Sequence, residues 1–189
     1  MKKTKVKKIS ISIIIVFILM SLSAILYAST IETTDLVFKD NNLYMTIKNT
    51  FSKQIISSDN ETKTLKIATD NLNAVTELDL SNSEIVDLTG IEAFCNVTNL
   101  NLSKNSITDI TPIGTLTNLT RLNLSNNKIE NFATISTKTN LVELYLESTG
   151  ISDVKFLNTL YKLQVLDISN NNISSLQDIN SLYKLTKLN

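Results

Sequence analysis

Histidine is absent from this chain of 189 residues. Without an imidazole there is no His-based catalytic triad, no His-ligated metal site and no side chain that ordinarily shuttles protons near neutrality. The single cysteine, Cys95, excludes an internal disulfide framework and every multi-cysteine zinc pattern. Packing alone must therefore hold the fold. Three glycines and one proline leave no Gly-rich phosphate loop and no long Pro or Gly linker. Taken together, these absences argue against an enzyme, a bound cofactor and a nucleotide ligand. Asn, Ile, Ser, Thr and Lys are abundant instead.

The formal charge of zero conceals an asymmetry, because Lys2, Lys3, Lys5, Lys7 and Lys8 precede the first acidic residue, Glu32. Without the first 28 residues, 13 basic side chains face 18 acidic ones, a charge of about −5. A mildly acidic surface is a poor nucleic-acid binder. The basic stretch leads into Ile9 to Tyr27, whose apolar run Ile13 to Met20 is followed by Ser21, Ser23, Ala24 and Ala28. That order is the one found in secretory signal peptides. Residues 1–28 are therefore expected to export the chain, with cleavage after Ala28. A retained signal anchor is the alternative, since Leu26 is large for a peptidase pocket, although four serines weaken Ile9 to Tyr27 as a permanent span. The membrane would be touched only through this segment, if it is uncleaved. No cysteine lies near its end to take a lipid.

After residue 74 the sequence repeats with a period of 22, opening at Val75, Val97, Leu119, Leu141, Leu163 and Leu185. Apolar residues recur at positions one, four, six, eleven, fourteen and seventeen, as in Val97, Leu100, Leu102, Ile107, Ile110 and Ile113. Position twenty is apolar too, except for Lys138 in the third repeat. There an aliphatic stem is expected to pack inward while the amine reaches water. Positions one, four and six pass from helical spacing to period two, which predicts a short strand. Stacked repeats would pair such strands into one parallel sheet. Asn105, Asn127 and Asn171 at position nine stand where the chain leaves the strand, and an amide can satisfy both a donor and an acceptor there. Ser83 and Thr149 replace them with lower bonding capacity. The remaining apolar positions predict a convex side of 3₁₀ turns or short helices.

Repeats such as Leu116 to Ile129 and Ile107 to Leu119 resemble the 22-residue repeats of the bacterial internalin family. The resemblance covers Val75 to Asn189. Residues 29–74 resemble the small helical cap that opens such solenoids: Phe38, Leu43, Ile47 and Phe51 follow near-helical spacing around Asp40, a good N-cap residue. A cap is also physically required, since the first repeat would otherwise expose an apolar end. The resemblance implies an α/β leucine-rich-repeat solenoid, right-handed and curved, whose concave parallel sheet binds a protein ligand on another cell or molecule. Stopping at Asn189, four residues after the sixth repeat opens at Leu185, the chain reads as truncated, either as a fragment of a longer surface protein or by a premature stop.

Binding would fall on outward strand residues, most of which are small and polar. Arg121 and Tyr145 stand out as types enriched at interface hot spots, and they would be diagonal neighbours on adjacent strands. The candidate protein-binding set is Tyr145, Arg121, Glu143, Asn123, Asn101, Glu147 and Asp167. No catalytic, cofactor or metal residues are assigned. Asp87, Asp109 and Asp153 recur after position eleven, but capping of local amides explains them more simply than calcium. Cys95 beside Phe94 is expected to be a small buried hydrophobe, and the Asn-x-Ser/Thr triplets carry no assigned glycans. The function expected is an exported, cell-surface or secreted module for adhesion or receptor recognition. The alternative is an envelope scaffold, structural or regulatory, that binds a partner of the same cell.

Overall fold

The computed structural model describes residues 31–189; the expected signal segment, residues 1–28, lies outside the described residues. The chain enters through strand β1 (Thr33–Val37) and turns at Asp40 into helix α1 (Asn41–Thr50). One Asp40 carboxylate oxygen, Oδ1, accepts hydrogen bonds from the N–H groups of Asn42 at 2.7 Å and Leu43 at 3.0 Å. These are donors that a first helical turn otherwise leaves free. The spacing of Leu43, Tyr44 and Ile47 turns one face inward, and all three are buried. A hairpin follows, β2 (Ile55–Asp59) and β3 (Thr64–Ala68), with Asp59 closing its turn by accepting from Glu61 N–H at 2.8 Å. Helix α2 (Thr69–Asn73) then delivers the chain to the repeats.

The cap holds the expected helix and adds a three-stranded antiparallel sheet in the order β1-β3-β2. The central strand β3 buries Leu65 and Ile67 and turns Lys66 outward, where it meets Asp35 of β1 at 3.5 Å. Two alternating residues are too short a signal to separate a strand from a loop, which is why helical spacing alone stands out in this segment. The other Asp40 oxygen, Oδ2, reaches into the first repeat and accepts from the N–H groups of Val86 at 2.8 Å and Asp87 at 3.1 Å. Burial works against the charge, but these four backbone donors outweigh it and hold the Asp40 pKa below its ordinary value. Gly90 sits against the cap in the left-handed region, φ 106°, and a Cβ there would lie 2.6 Å from the Phe38 ring and 2.8 Å from the Val37 carbonyl oxygen. Glycine is required on both counts.

From residue 77 the strands are β4 (Glu77–Asp79), β5 (Asn99–Asn101), β6 (Arg121–Asn123), β7 (Glu143–Tyr145), β8 (Val165–Asp167) and β9 (Lys187–Leu188). They form one parallel sheet in sequence order, each residue paired with the one 22 positions later, as Leu100 is with Leu122. Leu78, Leu100, Leu122, Leu144 and Leu166 point inward and are buried. Opposite them run 3₁₀ turns at Ile91–Ala93, Thr111–Thr115, Lys155–Thr159 and Gln177–Ile179, with one α-helical turn, α3 (Ala133–Ser136), in the third repeat. Their buried Ile91, Ile113, Ile135 and Leu157 close the core from the convex side. Removing each such side chain from water stabilises by about 1.5–3 kcal/mol.

Amides at position nine stitch the stack. The Nδ2 of Asn105 donates to Leu102 O of its own repeat and to Leu80 O of the preceding one, both at 2.9 Å, while its Oδ1 accepts from Ser83 and Ile85 N–H. Asn127 and Asn171 repeat the arrangement. Thr149 donates to Leu146 O within its own repeat, the reduced reach expected of a hydroxyl. One position earlier, Asn82, Lys104, Asn126, Ser148 and Asn170 all lie in the left-handed region, φ 50–59°. Asn tolerates that region best, so three of these five are asparagine for a backbone reason. Asp87, Asp109 and Asp153 accept from Thr89, Thr111 and Lys155 N–H, capping the convex turns as expected.

Two expectations are corrected. Lys138 is 1% exposed, and its amine, far from reaching water, donates to Gly114 O at 2.7 Å. A carbonyl of the neighbouring turn lies nearer than solvent, so the stem never leaves the core. Cys95 is exposed. The inward position is taken by Phe94, and the residue after it faces outward.

Candidate protein-binding face

On the outward side of the sheet the repeats bring residues 22 apart side by side, so position three forms the row Glu77, Asn99, Arg121, Glu143, Val165 and Lys187. Position five forms a second row: Asp79, Asn101, Asn123, Tyr145 and Asp167. In most repeats position five has a backbone task. The Oδ1 atoms of Asp79, Asn101, Asn123 and Asp167 accept from the N–H groups of Ser81, Ser103, Ser125 and Ser169 at 3.0–3.2 Å. These turns draw position seven inward, and Ser103 and Ser125 are buried rather than presented on the face.

The fourth repeat abandons that pattern, placing Tyr145 at position five and Glu147 at position seven. Tyr145 is free of backbone duty and donates its hydroxyl to Glu143 Oε2 at 2.8 Å. The same oxygen receives Arg121 Nη1 at 3.1 Å. The guanidinium of Arg121 lies 5.3 Å from the centre of the Tyr145 ring, on the diagonal between β6 and β7. Each side chain is thus held by the other two, leaving aromatic and cationic surface already ordered. The Tyr145 pKa is raised, first by partial burial, then by the hydrogen bond and charge of Glu143, with Arg121 opposing. It stays a neutral donor at physiological pH.

Of the other candidates, Asn123 and Asp167 flank Tyr145 in register on β6 and β8, and Asn101 lies one strand beyond Asn123. Glu147 Oε1 accepts from Asn170 Nδ2 at 2.9 Å. Asp167 keeps a lowered pKa: burial opposes the charge, but Ser169 and Asn189 donate to it and Lys187 lies near. Sequence reasoning missed a recess of about 260 Å³ at the other end of the face, where Glu77 and Asp79 face Arg121 across Asn99 and Asn101. The signal was available as two carboxylates standing where the next repeat has asparagines. Along one flank, Asn118 and Asn140 at position twenty-two donate to backbone carbonyls of the preceding repeat, and Asn96 to Asn73 O at the end of α2 in the cap, a second stitch not anticipated.

A family model described as leucine-rich repeats in two copies matches residues 95–137 and 139–182. Internalin C2 of Listeria monocytogenes superposes with a TM-score of 0.71 at 31% identity, over 80% of this chain and 64% of that one. The chain is built of leucine-rich repeats and is similar to the internalins. A second Listeria internalin, inlF, aligns with this internalin-like chain at a TM-score of 0.62 and 23% identity, covering 80% of it and 49% of inlF; that likeness shows the fold alone. A leucine-rich-repeat protein of Leptospira interrogans gives 0.59 at 31% identity, over 64% of this chain and 32% of its own. The internalin-like chain therefore spans less than two thirds of each of these proteins. No curated protein sequence matches it significantly. Its fold is that of a protein-interaction module.

Proposed function

We propose that this internalin-like protein is an exported recognition module, at the cell surface or secreted, which acts by binding a protein ligand of another cell or molecule on the concave face of its repeats. Tyr145 and Arg121 are its anchors, bordered by Glu143, Asn123, Asn101, Glu147 and Asp167. The observation that carries the reading is the Arg121–Glu143–Tyr145 cluster. Four repeats spend position five on a turn that the fold needs, whereas the fourth presents an aromatic ring there, braced by an ion pair. Side chains ordered before contact lose little entropy on binding. Export is supported by the basic and apolar order of residues 1–28. Among the described residues no helix is long and apolar enough to cross a membrane.

With the partner in hand, calorimetry on the folded variants tests the face. Tyr145→Ala should weaken binding by about 1–3 kcal/mol, while Lys155→Ala, on the convex side, should leave affinity unchanged. A silent Tyr145 beside a sensitive Lys155 moves the interface off the sheet. Mass spectrometry of the exported chain should find its N-terminus near Ser29; a full-length cytoplasmic chain defeats the export reading.

A further inference from the structure

We propose that the end of the concave face at the first two repeats receives a basic side chain, Arg or Lys, from the protein partner. This rests on the concave face being the binding surface. The recess there is bordered by Glu77 and Asp79 on β4, floored by Asn99 and Asn101, and closed by Arg121 and Asn123. Among the described residues Arg121 is the one cation on its border, and it is turned away to Glu143 and Tyr145. Glu77 Oε1 accepts from Asn99 Nδ2 at 3.1 Å, and Asp79 Oδ1 from Ser81 N–H at 3.0 Å. Among the described residues neither carboxylate has a Lys or Arg partner within ion-pair distance.

Nor does the fold require their charge. Asn101 and Asn123 perform the turn-capping task of Asp79 in the next two repeats, and Asn99 occupies the place of Glu77. Two negative charges in excess of structural need, beside amide oxygens and without a counter-ion, are complementary to a guanidinium or ammonium group. Three strand spacings separate β4 from β7, so the partner would carry its basic side chain about 14 Å from the group that meets Tyr145.

The variant Glu77→Asn/Asp79→Asn tests this with little risk to folding, because it rebuilds the first strand with residues that the second already uses. The full chain, labelled with ¹⁵N, is titrated with a blocked tetra-arginine peptide, a blocked tetra-glutamate peptide and calcium chloride. Tetra-arginine is expected to give saturable shifts at Glu77, Asp79, Asn99 and Asn101, and the double variant to weaken it at least fivefold. Glu61→Gln/Glu130→Gln, which removes two charges elsewhere, should weaken it less than twofold. Equal weakening by both variants, shifts spread over the other acidic residues, or calcium saturating the same four amides overturns the proposal. Once a partner is known, binding lost in Tyr145→Ala but untouched in Glu77→Asn/Asp79→Asn overturns this inference alone. Binding untouched in both overturns the concave reading as well.

Discussion

From inside the core, the amine of Lys138 donates a hydrogen bond to the carbonyl oxygen of Gly114, 2.7 Å away in the preceding convex turn. Phe94, Leu116, Leu160 and Leu182 fill the equivalent position in the other repeats. A cationic side chain thus does a hydrophobe's packing and a turn-capper's bonding together.

Truncation and isosteric replacement of Lys138 should therefore separate. Lys138→Ala loses both the packed stem and the hydrogen bond, and is expected to destabilise by about 2–4 kcal/mol. Lys138→Leu restores the neighbours' residue and removes a buried charge, so its net effect should stay within about 1 kcal/mol. Urea unfolding measures both, and an alanine variant as mild as a surface change would place the side chain outside the core. Burial lowers the Lys138 pKa below the ordinary 10.5. The folded chain thus releases this proton more readily than the unfolded chain. The contribution is fully present above 10.5 and is lost as pH falls through the folded value. The wild type should gain stability relative to Lys138→Leu as pH rises toward 10.5; parallel pH profiles would exclude the shift.

Strand polarity is tested in the central repeat. Leu122 is buried, and Leu122→Ala should cost about 2–5 kcal/mol. The neighbouring Asn123 faces out but holds Ser125 N–H, so Asn123→Ala should cost about 1 kcal/mol, the worth of one turn hydrogen bond. Equal losses in chemical unfolding would mean that the register is off by one.

Gly90→Ala attacks the seat of the cap. The added methyl meets the Phe38 ring and the Val37 carbonyl while the backbone keeps a positive φ. A loss of about 2 kcal/mol or more is expected. Limited proteolysis should show β1 and α1 cut first. By contrast Gly150→Ala, with open space around its Cβ, should show only the cost of φ 85°.

Relief of strain runs the other way at Lys104, held at φ 57° with its N–H bonded to Ser125 O at 2.9 Å. Lys104→Asn puts there the residue used at Asn82, Asn126 and Asn170, and should stabilise by about 0.5–1 kcal/mol. Thermal unfolding that shows no gain would deny that this position carries backbone strain.

The 22-residue period was enough to place the sheet, its register and the inward leucines, because one error in phase would turn every Leu of the strands to water. The Asn ladder was legible for the same reason, an amide recurring where a turn must begin. What escaped was whatever does not recur. The cap strands show two alternating residues, Lys138 bonds a backbone atom that no pattern names, and Cys95 is exposed through a single step of phase. At the site, the diagonal of Arg121 and Tyr145 followed from register, whereas their shared bond to Glu143 depends on side-chain reach. Period two alone would leave position seven at the surface; the turns capped by Asn101 and Asn123 override that rule at Ser103 and Ser125.

The division of labour between positions has a consequence for how such a surface can change. Position nine stitches, position eight bends, position five caps and the threonines of position two hold a neighbouring carbonyl, which leaves position three without a backbone bond to keep. Its six occupants are Glu, Asn, Arg, Glu, Val and Lys, stepping along the sheet about 4.8 Å apart. The face resembles a line of type set in a fixed frame, in which one character per repeat can be exchanged without recasting the block. New specificity can then be written by single substitutions in that row. A departure at position five, as at Tyr145, is the rarer event, because the frame itself must give up a bond to admit it.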